Sequence, residues 1–125
     1  MQDRAKRGRF LVLAWLLGSL AAAAAASPEQ DYALQCRGCH GPDGAGVPGR
    51  VPSLSGVAAL LATPEGRARL LSVAGVRQAS LSDARLAALL GWVATGFAAP
   101  GDRPAFAPLS AEEVGRYRGT SQTLR

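Results

Sequence analysis

The chain has 125 residues, which is enough for one small domain, and it carries 14 basic residues against nine acidic ones. Part of that excess lies at the start, where Arg4, Lys6, Arg7 and Arg9 occur within the first nine residues. Residues 27–125 hold ten arginines and eight acids. This near balance gives no indication of a nucleic-acid-binding surface.

Residues 1–26 have the layout of a secretory signal peptide. A basic start precedes an apolar run, and six alanines then offer an Ala-x-Ala cleavage pattern before Ser27. The alternative is an uncleaved membrane anchor, since the apolar stretch from Phe10 to Ala26 has 17 residues, the short limit for a bilayer span. The flanks favour cleavage, so we predict a leader over 1–26, a mature domain over 27–125 and a periplasmic location.

The first half of the mature part reads as short helices and one long loop. Ser27 and Gln30 fit a capping box around Pro28, which predicts a helix over 28–39. Residues 41–56 hold five glycines and three prolines and are predicted to form an ordered loop. Two helices should follow, over 57–62 and 64–72.

The second of those helices should carry Arg67 and Arg69 on its solvent-exposed face. Residues 73–81 are predicted to be extended. The clearest helix runs over 83–95, where five apolar residues share one stripe that should pack into the core: Leu86, Leu89, Leu90, Val93 and Phe97.

The end of the chain reads as a linker and one short helix. Residues 98–109 form a Pro-rich connection, and a second capping box at Ser110 predicts a helix through Tyr117, with a frayed tail after Arg118. We therefore predict an all-α fold without convincing strands. Its large apolar side chains are few, so a loop-rich domain of this size needs a further group to complete its core.

The stretch CRGCH, residues 36–40, holds both cysteines and the only histidine of the chain. A disulfide across this gap would close a tiny loop and stabilise little. A thioredoxin-like redox pair would need a neighbouring βαβ pattern, and a structural zinc site would need four ligands. The remaining alternative is covalent haem attachment, for which Cys-x-x-Cys-His is the signature.

The spacing suits haem chemistry. Cys36 and Cys39 at the end of a helix can reach the two vinyl groups of one porphyrin edge as thioethers, and His40 can then bind the iron as its proximal axial ligand. We therefore predict one covalent haem c. This group would also complete the sparse core.

With this motif, Gly41-Pro42-Asp43-Gly44 after it and Val51-Pro52-Ser53-Leu54-Ser55-Gly56 beyond, the chain resembles the small class I c-type cytochromes of bacteria. The resemblance covers roughly residues 28–97 and implies a small helical domain wrapped around a covalent haem. It implies that the carbonyl of Pro52 accepts a hydrogen bond from His40, and that helices 28–39 and 83–95 cross. Residues 98–125 would be a helical C-terminal extension.

The sequence departs from that family at the sixth iron position, where class I members usually present a methionine. Met1 is the only methionine and would leave with the leader, and Lys6 is the only lysine. The position should therefore be open, filled by water, or held by an unusual group. Gln78 is a candidate; the alternative is that it is a plain loop residue.

The predicted function is transfer of single electrons between redox partners such as a dehydrogenase and an oxidase, with no nucleic acid and no stable membrane span. An electron carrier is favoured over an enzyme, because no acid pair, Ser/His/Asp set or phosphate loop is present. One alternative is a haem enzyme or small-ligand binder with an open iron. Another is a subunit of a larger complex that docks through residues 98–125.

Overall fold

The computed structural model describes residues 26–101 and 105–120, and all structural statements below concern these residues. Their regular structure consists of helices, with a single isolated bridge between Val47 and Val51. The all-α fold predicted from the sequence is confirmed. The helices are α1 (Pro28–Gln35), α2 (Arg37–His40), a 3-10 turn (Leu54–Gly56), α3 (Val57–Leu61), α4 (Pro64–Ser72), α5 (Ala74–Arg77), α6 (Asp83–Gly96) and α7 (Ala111–Thr120).

Helices α1 and α6 pack against each other, as the family resemblance implies. Buried Asp31 on α1 is paired with Arg85 on α6, whose Nε donates to Asp31 Oδ2 at 3.2 Å. Next to this pair the ring of Tyr32 lies against Trp92 and Phe97, with ring centroids 5.5 and 5.0 Å apart. The ion pair and the aromatic contacts fix how the two helices sit.

The apolar stripe of α6 forms the centre of the core, as predicted. Leu86, Leu89, Leu90 and Val93 are buried, and Phe97 is partly buried against them. Helix α3 packs against α6, and helices α3 and α4 pack against each other, with Leu61 and Leu71 buried in the same core cluster. They approach each other closely because residue 66 is a glycine: an added Cβ would lie 2.2 Å from the carbonyl oxygen of Leu60.

The C-terminal extension packs onto the domain. Helix α7 contacts α6 and α4, and its Val114 is completely buried. The prediction that Arg67 lies on a solvent-exposed face is wrong: its guanidinium pairs with Glu113, with Nη2 to Oε2 at 2.7 Å, and its side chain is only 14% exposed. Arg69 is exposed, so that prediction is confirmed for this residue.

Three predicted boundaries need correction. The first helix is interrupted at Cys36, whose φ of −123° is not helical, so α1 and α2 are separate. Residues 73–81 are not extended throughout, because Ala74–Arg77 form one helical turn that a side chain from α7 stabilises. Helix α7 continues beyond Tyr117 to Thr120, since Arg118 anchors its last turn.

The predicted leader falls almost entirely on residues 1–25, outside the described part of the chain. Among the residues that are described, no helix combines the length and the apolar character that a bilayer span requires.

Candidate functional site

The two cysteines and the histidine of the motif meet at one cavity. Cys36 lies at the break between α1 and α2 and is partly buried, whereas Cys39 on α2 is exposed. The amide N–H groups of Cys39 and His40 both donate to the carbonyl of Cys36, at 3.2 and 3.0 Å. This tight turn places Cys36, Cys39 and His40 together in the lining of one cavity.

The imidazole of His40 is oriented by the backbone of the long loop. Its Nδ1 lies 3.0 Å from the carbonyl oxygen of Pro52. Because a carbonyl can only accept, Nδ1 must carry the proton, which leaves the lone pair on Nε2 free for a metal ion. The structure thus has the hydrogen bond that the family resemblance implies for Pro52.

Gly46 allows the loop to come this close, and the sequence analysis did not single it out. Its amide donates to the carbonyl of His40 at 2.8 Å. Its φ is +69°, and an added Cβ would lie 2.3 Å from the oxygen of Val51 and 2.7 Å from that of Pro52. Only glycine fits here. The signal in the sequence was the density of glycines in residues 41–56, which does not say which one is critical.

A second residue that the sequence analysis missed is Tyr32. Its hydroxyl donates to the carbonyl of Gly41 at 2.6 Å, which ties α1 to the residue directly after His40. Burial raises the pKa of this hydroxyl, so at neutral pH it is protonated and can donate. The ring of Phe97 fills the space beside Gly44, where an added Cβ would lie 2.9 Å from it.

The rest of the cavity wall is almost entirely apolar. Gln35 and the three motif side chains are the heteroatom-bearing ones among the lining residues. The others are Leu54, Val57, Leu70, Val73, Gly75, Val76, Ala79, Leu86, Leu89, Leu90 and Val93. Gln78 does not line the cavity.

This set of residues fits a covalently attached porphyrin. Two thiols and one oriented imidazole line a cavity whose other lining residues, mostly apolar, would pack against an apolar macrocycle. Burial, followed by the negative charge of Asp31, raises the pKa of the Cys36 thiol. Within the described residues, no three His, Cys, Asp or Glu side chains form a group that could hold a metal ion. The described part of the chain therefore does not supply the four ligands of a structural zinc site.

Comparison with known proteins gives two related sequences. A cytochrome c-552 from one strain of Thermus thermophilus is 36% identical over 134 residues, covering 92% of this chain and 89% of the relative. A second Thermus thermophilus cytochrome c-552 is 34% identical over 108 residues, covering 71% of this chain and 82% of that relative. The first match extends well beyond residues 28–97, to which the sequence resemblance was limited.

No protein-family model matches the chain. No solved structure matches it either.

Proposed function

The chain belongs to the c-type cytochromes and is a monohaem electron carrier with covalently bound haem c. We propose that Cys36, Cys39 and His40 hold this haem, and that the protein is periplasmic. The observation that carries the assignment is the meeting of these three side chains at one apolar cavity, with His40 oriented by Pro52. When bound, the haem iron supplies one-electron exchange between its ferric and ferrous states.

Each cysteine would hold the haem through a thioether. The S–H of Cys36 and that of Cys39 would each add across one vinyl group, with sulfur bound to one carbon and hydrogen to the other, so no atom would be lost. The turn at residues 36–40 keeps the sulfurs on one side of the cavity. Cys39 is exposed, so this edge of the site faces solvent.

His40 would bind the iron through Nε2, since Nδ1 donates to Pro52. That hydrogen bond fixes the plane of the imidazole and makes it a stronger donor to the metal. Gly46 and Tyr32 act one step further away, because they hold the backbone on either side of His40. They would keep the imidazole of His40 in one orientation.

The redox partners are proposed to be an electron-donating dehydrogenase and an accepting oxidase, which meet the protein at the solvent-facing edge of the cavity. Val73 lines that cavity and is 50% exposed, and Arg37 is exposed beside the cysteines. Residues 27–125 contain no lysine. Any electrostatic steering would therefore come from arginines, and the partner's association rate should then fall steeply with added salt.

The experiment is haem staining of the periplasmic fraction after denaturing electrophoresis, with the mass of the purified chain. We expect a stained band whose mass exceeds that of a polypeptide starting near Ser27 by one haem. Cys36→Ala and Cys39→Ala should each lose or severely weaken the stain. Gly38→Ala is the matched control within the motif, because an added Cβ there meets nothing within 4 Å.

A chain with the mass of the bare polypeptide after haem maturation would overturn the proposed attachment. A retained Met1 would leave the haem assignment unchanged, but it would indicate that residues 1–26 are an uncleaved membrane anchor.

A further inference from the structure

We propose that the apolar cavity wall from α4 to α6 would admit a neutral diatomic ligand, such as carbon monoxide or nitric oxide, to a haem iron held by His40, and that Arg118 holds this wall in place. This inference rests on the proposed attachment through Cys36, Cys39 and His40. It adds a ligand-binding function that electron transfer does not require.

The segment from α4 to α6 supplies no side chain that ligates iron. Its cavity-lining residues are Leu70, Val73, Gly75, Val76, Ala79, Leu86, Leu89, Leu90 and Val93. The amide oxygen of the polar lining residue Gln35 is engaged, since Oε1 accepts from the amide of Ser80 at 3.2 Å. His40 is the only histidine, and after Ser27 the sequence has no methionine and no lysine.

The chemistry of this wall selects the class of ligand. The polarity and hydrogen-bond donors of a distal pocket decide what binds to haem iron. Leucine, valine and alanine side chains offer no donor for an anion or for a strongly polarised oxygen species. Neutral diatomic molecules need no such partner, so they are the ligands that this wall admits.

The wall is fixed from outside by the C-terminal extension. Arg118 on α7 donates from Nη2 to the carbonyl of Ala79 at 2.9 Å and from Nη1 to that of Leu81 at 2.8 Å. Its Nε donates to the carbonyl of Arg77 at 3.2 Å. These three carbonyls lie at the end of α5 and just beyond it, and this single turn has no side-chain cap at its start.

Arg118 is therefore a positioning residue for the cavity wall. Its Nη1 also pairs with Asp83 Oδ1 at 2.8 Å, which fixes the guanidinium at the start of α6. One side chain thus holds both ends of the segment 77–83. Because Val76 and Ala79 belong to the cavity lining, the position of this segment sets the room inside the cavity.

The first test is a carbon monoxide titration of the reduced, haem-loaded protein, followed by its visible spectrum. We expect a high-spin spectrum before addition and ready binding of carbon monoxide, unchanged in Gln78→Ala. A low-spin reduced protein that refuses carbon monoxide would overturn the inference. If that protein still exchanges electrons reversibly, the proposed carrier function stands.

The second test compares variants of the two arginines that tether α7. Arg118→Ala should change the carbon monoxide association rate by roughly 2- to 30-fold, with a smaller change in Arg118→Lys. Arg67→Ala is the matched control, because Arg67 also bonds to α7 but contacts the carbonyls of residues 61, 107 and 108 rather than the segment 77–81. Equal changes in both variants would show that Arg118 merely retains α7, and would overturn its part in positioning the wall.

Discussion

The loop over residues 41–54 and the extension over residues 105–120 are held in place by different kinds of bond. In the loop, backbone groups bond to each other: Gly46 to His40 at 2.8 Å and Leu54 to Gly44 at 2.8 Å. In the extension, arginine side chains bond to backbone carbonyls and to two carboxylates, those of Glu113 and Asp83. The pair Arg67–Glu113 joins residues that are 46 positions apart. The loop therefore depends on the missing Cβ of Gly46, whereas the extension depends on the long side chains of Arg67 and Arg118.

This difference suits the two parts of the site. The loop carries the carbonyl that orients His40, and backbone packing around a glycine leaves that carbonyl little freedom. The extension holds the apolar segment of the cavity lining near Ala79 through long side chains, which can adjust by rotamer changes. We expect one substitution in the loop to displace it from His40 entirely, whereas substitutions in the extension should lower its stability gradually.

The largest effect should come from Gly46→Ala. The added Cβ would lie 2.3 Å from the Val51 oxygen and force the loop away from His40. We expect the free energy of unfolding of the haem-loaded protein to fall by about 3 kcal/mol, measured by chemical denaturation. The reduction potential should shift as well, because the bond from Nδ1 to Pro52 is disturbed.

Gly49→Ala is the control for this prediction. Gly49 has nearly the same φ, +73°, but an added Cβ there meets nothing within 4 Å. It should cost only the strain of a left-handed alanine, about 1 kcal/mol. If both variants lose the same stability, backbone strain accounts for the loss in Gly46→Ala, and the contact with the Val51 oxygen does not.

In the extension, the larger effect should come from Arg67→Ala. This change removes a two-point ion pair with Glu113, at 2.8 and 2.7 Å, and bonds to the carbonyls of Leu61 and Ala107. We expect a loss of about 2 kcal/mol in the free energy of unfolding, with the reduction potential unchanged. Arg69→Ala, on the same helix and exposed, should stay within about 0.5 kcal/mol of the parent.

The two regions also differ in how far the sequence could predict them. The attachment motif lies within five residues, so the chemistry of its two thiols and imidazole is visible without the fold. The stripe of α6 follows from helical periodicity. The solvent-exposed assignment of Arg67 failed because its partner Glu113 is distant in the chain, and periodicity within α4 contains no information about that contact.

The single turn of α5 was missed for a related reason. The stretch Ala-Gly-Val-Arg contains a glycine and a β-branched residue, and no side chain caps its start, so local propensity argues against a helix. Arg118 stabilises it from 41 residues away, through the carbonyl of Arg77. For Gly46 the missing information is different. The sequence shows that the residue is a glycine, but only the fold shows that the carbonyls of Val51 and Pro52 leave no room for a Cβ.

A smaller effect in the extension should appear on acidification. The hydrogen bond and the charge of Arg67, with a further contribution from the charge of Arg116, hold the pKa of Glu113 below its usual range. A carboxyl with a lowered folded pKa stabilises the fold above its unfolded pKa of about 4.3. That contribution is lost as the pH falls through the lower folded value.

The measurement is the free energy of unfolding as a function of pH for the parent and for Glu113→Gln. Above about pH 5 the parent should be the more stable, and the two curves should converge as the pH falls below about 4. Curves that stay parallel throughout would show that the ion pair contributes nothing through the ionisation of Glu113.

The smallest effect should come from Tyr32→Phe, which tests whether the loop has side-chain support of its own. The variant keeps the ring that packs on Trp92 and Phe97 and removes only the hydroxyl that donates to Gly41. Loss of one such bond should lower the free energy of unfolding by about 1 kcal/mol. Because the carbonyl of Gly41 lies next to His40, we also expect a small shift in the spectrum of the haem-loaded protein. An unchanged spectrum with the full loss of stability would mean that Tyr32 only joins α1 to the loop, and that the orientation of His40 depends on Pro52 and Gly46 alone.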